Sequence, residues 1–163
     1  MVSKLKLARG IAFALAAIAL TACASGGGNG RAPRGPADEI RFDVLQPQQL
    51  NPGQCSLSLW AAGDQQPRFI MAAYDNPAQL VVRPNGRDRI LPRTEFGGQR
   101  VSGIFEEQTF SDGRLTLSLD VTFDDARPMR DGAIVRRAIV RVRDDNGWET
   151  VIPVGGLAAC APR

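Results

Sequence analysis

Apolar and polar positions alternate without a break from residue 115 to 123, where Leu115, Leu117, Leu119, Val121 and Phe123 enclose Thr116, Ser118, Asp120 and Thr122. Successive side chains of a strand point to opposite faces, so this segment is a half-buried antiparallel strand with an apolar and a polar side. Its expected mate is 101–110, because Ser111-Asp112-Gly113 supplies turn chemistry between the two runs. The same period of two predicts strands over 40–45, 55–60, 68–73, 79–83, 87–91, 134–143 and 148–154.

Turn signals separate these runs. Asn85-Gly86 and Asp145-Asn146-Gly147 carry residues that accept positive φ, as tight hairpins require. A three-residue loop at the second site sets Val142 opposite Thr150, Val140 opposite Ile152, and Arg143 opposite Glu149. Pro153 cannot donate to a ladder, which predicts an edge strand or a bulge there. No segment sustains a helical period, and 124–132, rich in charge with Pro128 and Gly132, reads as a loop. The predicted class is all-β: a single antiparallel β-sandwich or a small β-barrel of about 7–9 strands, over residues 40–163.

The first residues follow a different grammar. Lys4, Lys6 and Arg9 precede an apolar run from Ile11 to Leu20, too short to span a bilayer and shaped like a secretory signal. The run ends in Leu20-Thr21-Ala22-Cys23, which resembles the lipobox of bacterial lipoproteins. That resemblance implies cleavage after residue 22 and a lipid on Cys23 that holds the mature protein on a membrane. Ala24, rather than Asp, after the cysteine implies delivery to the outer membrane of a two-membrane bacterium, on its periplasmic face. Residues 23–39 then form the lipidated cysteine and a Gly/Pro-rich linker with no means of building a core. As a flexible coil it reaches roughly 20–25 Å. Its Gly26-Gly27-Gly28-Asn29-Gly30 run lacks the Lys-Ser/Thr and flanking elements of a phosphate loop.

Loss of the signal removes both lysines and Arg9, so the formal net charge of +3 falls to zero. A nucleic-acid partner thereby loses its electrostatic basis. With Cys23 assigned to lipid, Cys55 and Cys160 remain, an even pair in an exported protein and so an expected disulfide pinning the ends of the β-domain together.

Candidate chemistry is sparse. The chain has no histidine, which removes the commonest general base and zinc ligand, and the mature part has no lysine. Among adjacent acids, Glu106-Glu107 would point to opposite faces, while Asp124-Asp125 and Asp144-Asp145 fall in turns. Asp124, Asp125 and Asp131 share a loop, but without a calcium-binding pattern and beside Arg127 and Arg130. No catalytic residue, metal or cofactor is therefore assigned. Arg136, Arg137, Arg141 and Arg143 cluster in one strand, with Arg87, Arg89 and Arg93 in another. Outward members of either set could grip phosphates or acidic sugars, or could instead be a solvated face paired with Glu149, Asp144, Asp145 and Asp88. Trp60 and Trp148 could form a stacking platform, although the burial habit of large aromatics favours core positions.

The expected function is a non-enzymatic, lipid-tethered module acting through an envelope protein or glycan partner. Two alternatives follow. Architecturally, small disulfide-pinned barrels on lipid anchors resemble inhibitors of envelope hydrolases such as lysozyme or proteases, although Gly97-Gly98-Gln99-Arg100-Val101, read as a loop, lacks the Ser-Gly-x-x-Tyr pattern of membrane-bound lysozyme inhibitors. A glycan hydrolase built from two carboxylates on different strands is the other.

Overall fold

Eight strands follow one another along the chain: β1 (Cys55–Ala61), β2 (Arg68–Asp75), β3 (Ala78–Val82), β4 (Arg89–Val101), β5 (Ile104–Ser111), β6 (Leu115–Phe123), β7 (Gly132–Asp144) and β8 (Glu149–Cys160). Each pairs antiparallel with the next, and β8 returns to β1, so the sheet closes into an up-and-down barrel. Of the two architectures open from sequence, the protein adopts the barrel, in which every strand has a neighbour on both sides. The computed structural model describes residues 40–63, 65–124, 129 and 132–163. The signal segment, Cys23, the linker and the loop residues Asp125, Arg127, Arg130 and Asp131 lie outside the described residues.

Alternation sorts the side chains. Leu57, Leu59, Leu80, Phe110, Leu117 and Val140 fill the barrel and are fully buried. Their strand neighbours Ser58, Thr116, Ser118, Asp120 and Arg141 face outward, the reverse of a membrane-spanning barrel, whose outward band is apolar. These inward side chains join in one core cluster inside the barrel. At one end, Phe42 plugs the barrel, bridging to Pro84 and held by Asp43 N donating to the Arg83 carbonyl at 2.9 Å. At the other, the β4–β5 turn at Ser102-Gly103, followed by buried Ile104, folds over the seam disulfide Cys55–Cys160.

The expected β7–β8 register is observed pair for pair, as are the β5–β6 turn and the disulfide. Other expectations need correction. Residues 40–45 are not a strand. They begin a strap that crosses the outside of β2 and β3, because Phe42 belongs to the core while Leu45 packs outside on Ala72 and Tyr74. The mate of β6 begins at Ile104, not Val101, since Ser102 (φ 47°) and Gly103 (φ 79°) form a tight turn. Gly97 to Val101 is strand, not loop. Gly97 lets the Glu107 carboxylate lie where a Cβ would stand, and the register shifts between Gly97 and Arg100. Pro153 lies on no edge, but the expected irregularity is present beside it, where the β7–β8 register shifts between Val135–Gly156 and Ala138–Val154. The Pro153 carbonyl accepts from Ala62 N just past the last β1–β8 pair, Ala61–Val154, so its missing N–H falls where that ladder has ended.

Candidate functional site

Among the described residues, a concavity lies on the outer wall of β1 and β2, between that wall and the strap. It has a volume of about 710 Å³. Its floor is built from small residues in register, with Ser58 opposite Ala72 and Ser56 opposite Ala159. Beside this floor stands Trp60, half-buried, its ring centroid 5.3 Å from that of Phe69. A bulge creates the pair. Leu59 faces Met71 but Trp60 faces Phe69, so the extra residue Ile70 turns into the core and Phe69 emerges beside Trp60. Small side chains next to a large ring give depth to a wall that would otherwise be convex.

The strap supplies the far side. Leu45 N donates to the Phe69 carbonyl at 2.8 Å, and Leu45 and Leu50 pack on Ala72 and Tyr74. Gln46, Gln48 and Gln66 form the rim. Burial pushes the Tyr74 phenol above the usual tyrosine range, so it stays protonated and able to donate. Arg68 is the one ionisable cation among the described lining residues, and its Nη1 donates to the Phe42 carbonyl at 3.2 Å. The groove is therefore aromatic, amide-rich and nearly uncharged. On the other side of the strap, a recess of about 500 Å³ lies over β3.

The structure separates the other sequence candidates. Neither tryptophan is core: Trp60 lines the groove, while Trp148 is half-buried in the β7–β8 turn, its N donating to Asp144 Oδ1 at 2.9 Å. Arg89 pairs with Asp112 instead of joining Arg87 and Arg93 in an anion grip. Arg93 is drawn onto aromatic rings, 5.2 Å from the Phe96 centroid and 5.3 Å from that of Phe105, with Nη1 donating to Gln108 Oε1. Its pKa is lowered by burial and then by Arg100 nearby. Arg136, Arg137, Arg141 and Arg143 are all exposed on the outside of β7.

Among the described residues, the acids singled out from sequence serve turns and strand pairs. Glu106 Oε2 accepts from Gln99 N, and Asp144 caps its own turn through Asn146 N and Trp148 N. Glu107 and Asp120 are cross-strand partners, but both stand exposed on the outer wall. Among the described residues, no group of three or more potential ligands could hold a metal ion.

The strap and Phe69 were missed from sequence. Gln46 to Leu50 carries no periodicity, and nothing local reveals the bulge at Ile70. No protein-family model matches the chain, nor does any curated protein or solved structure.

Proposed function

We propose that this protein is a lipid-anchored, non-enzymatic binding module of the cell envelope that holds neutral glycan in the groove beside Trp60. The carrying observation is that ring, standing over a floor of Ser56, Ser58, Ala72 and Ala159 and rimmed by side-chain amides. A pyranose ring offers an apolar C–H face for stacking on an aromatic and hydroxyls for amides and phenols, while carrying no charge. Both requirements meet the same lining. The packed barrel interior leaves recognition to the outer wall, and the lipobox at Cys23 supports a tether that keeps the groove beside the membrane, on the periplasmic face of the outer membrane in a two-membrane host.

Two experiments test the parts separately. Fractionation of cells expressing Cys23→Ser should move the protein out of the membrane fraction; unchanged membrane association contradicts the anchor. Co-sedimentation of the soluble mature chain with insoluble cell-wall glycan should be lost in Trp60→Ala while thermal stability is kept. Equal retention of both proteins contradicts the groove.

A further inference from the structure

The outside of β7 carries a row of four exposed arginines that outnumbers the two exposed acids directly across from it, Asp120 on β6 opposite Ile139 and Glu149 on β8 opposite Arg143. Arg137, Arg141 and Arg143 point outward in alternation, and the register shift between Val135 and Ala138 exposes Arg136 beside Arg137. At about 3.3 Å per residue the row is about 20 Å long. Among the described residues, no ion pair or side-chain hydrogen bond engages any of the four. Each alternate arginine has a hydroxyl residue directly across on β6: Arg143 opposite Thr116, Arg141 opposite Ser118, Arg137 opposite Thr122. On the β8 side, Arg141 faces Val151, 53% exposed, and half-buried Ile139 faces Pro153. The wall thus has four guanidinium forks, three hydroxyls and a small apolar patch, with Asp120 and Glu149 as its two acids.

We propose that this β7 wall rests on the anionic phosphates of the membrane to which the chain is tethered, so that the lipid anchors the protein and the arginine row orients it. Guanidinium forks match phosphate oxygens, the hydroxyls add donors, and Val151 and Ile139 suit the headgroup boundary. A second copy of the chain is a poorer occupant, because stacking the same wall on itself sets arginines against arginines. Trp60 stands on β1, two strands round the barrel from β7, so its ring faces a different side of the barrel from the arginine row. The neutral net charge of the mature chain conceals this segregation: charge balance holds over the molecule, while this wall keeps four arginines against two acids.

The proposal rests on the lipid-anchor reading for its setting, and the assay omits the lipid so that the two fail separately. The mature chain carrying Cys23→Ser is sedimented with vesicles of phosphatidylcholine alone and of phosphatidylcholine mixed with phosphatidylglycerol. Binding is expected only to the mixed vesicles and is expected to weaken with salt. Each arginine near an anionic surface contributes about a fivefold factor, so replacing Arg137, Arg141 and Arg143 by Gln should weaken binding about a hundredfold. Conservative replacement of the same three by Lys should retain most of it. Equal binding to both vesicle types, or no loss in the Gln variant, overturns the proposal. Binding to a soluble polyuronate but not to vesicles also overturns it and assigns the wall to an acidic glycan.

Discussion

Cys55 and Cys160 stand directly opposite each other in the ladder between β1 and β8, the pairing that closes the barrel, and their disulfide joins residues 105 positions apart. The β4–β5 turn seals it: the Ser102 carbonyl lies 3.6 Å from the Cys160 sulfur, and Gly103 has no Cβ where the Cys55 side chain sits. A loop of this size constrains the unfolded chain by about 4.7 kcal/mol in the entropy model. The rest of the seam, from Ser56–Ala159 to Ala61–Val154, is joined by backbone pairing. Reduction should therefore leave a folded barrel that is about 2–5 kcal/mol less stable in urea denaturation. An unchanged midpoint would show that the bond adds nothing to closure.

The same seam contains a second constraint. A Cβ on Gly156 would meet the Ser58 carbonyl oxygen at 2.2 Å, whereas one on neighbouring Gly155 would meet nothing within 4 Å. Gly156→Ala must push apart two paired backbones, at a cost of about 1–3 kcal/mol or more, while Gly155→Ala should stay within about 0.5 kcal/mol of the parent. Thermal melts of the two variants make the comparison, and equal melting temperatures would contradict the packing at this seam.

Such contacts explain what could be read in the chain beforehand. Leu115 to Phe123 announced itself because its period of two runs nine residues without interruption, and the β7–β8 register followed from one turn and two apolar faces. Gly97 to Val101 was opaque, since glycines that look like a loop can equally make room for Glu107 and Glu106 across a bulged ladder. The groove was half legible. Trp60 could be seen to alternate away from Leu57 and Leu59, but its partner Phe69 reaches that face only through the bulge at Ile70, and the strap is held by tertiary contacts of Phe42 and Leu45. Barrel closure itself depends on pairing between the first and last strands, which no local pattern encodes.

The β5–β6 turn makes stability depend on pH through Asp112. Burial alone would raise its pKa. Hydrogen bonds from Arg114 N and Leu115 N to Oδ1, together with the Arg89 ion pair, outweigh burial and hold the carboxyl below the usual range. A group with a depressed folded pKa stabilises fully above its unfolded value, near 3.9, and loses that contribution as pH falls through the folded value. Asp112→Asn should thus be less stable than the parent at neutral pH, with the gap closing as the pH drops below about 4. Urea midpoints across that range are the measurement. A gap independent of pH would show that Asp112 acts only as a neutral turn acceptor.

The groove beside Trp60 is the centre of the functional account, and intrinsic fluorescence tests it most directly. In a Trp148→Phe background, Trp60 is the only tryptophan left. Titration with a neutral N-acetylglucosamine oligosaccharide should give a saturable change in emission that persists at high salt. Competition against the same glycan should show binding at least about tenfold weaker in Trp60→Ala, the scale of a lost aromatic contact worth about 1.4 kcal/mol. No emission change at millimolar sugar, or equal competition by Trp60→Ala, would contradict the account.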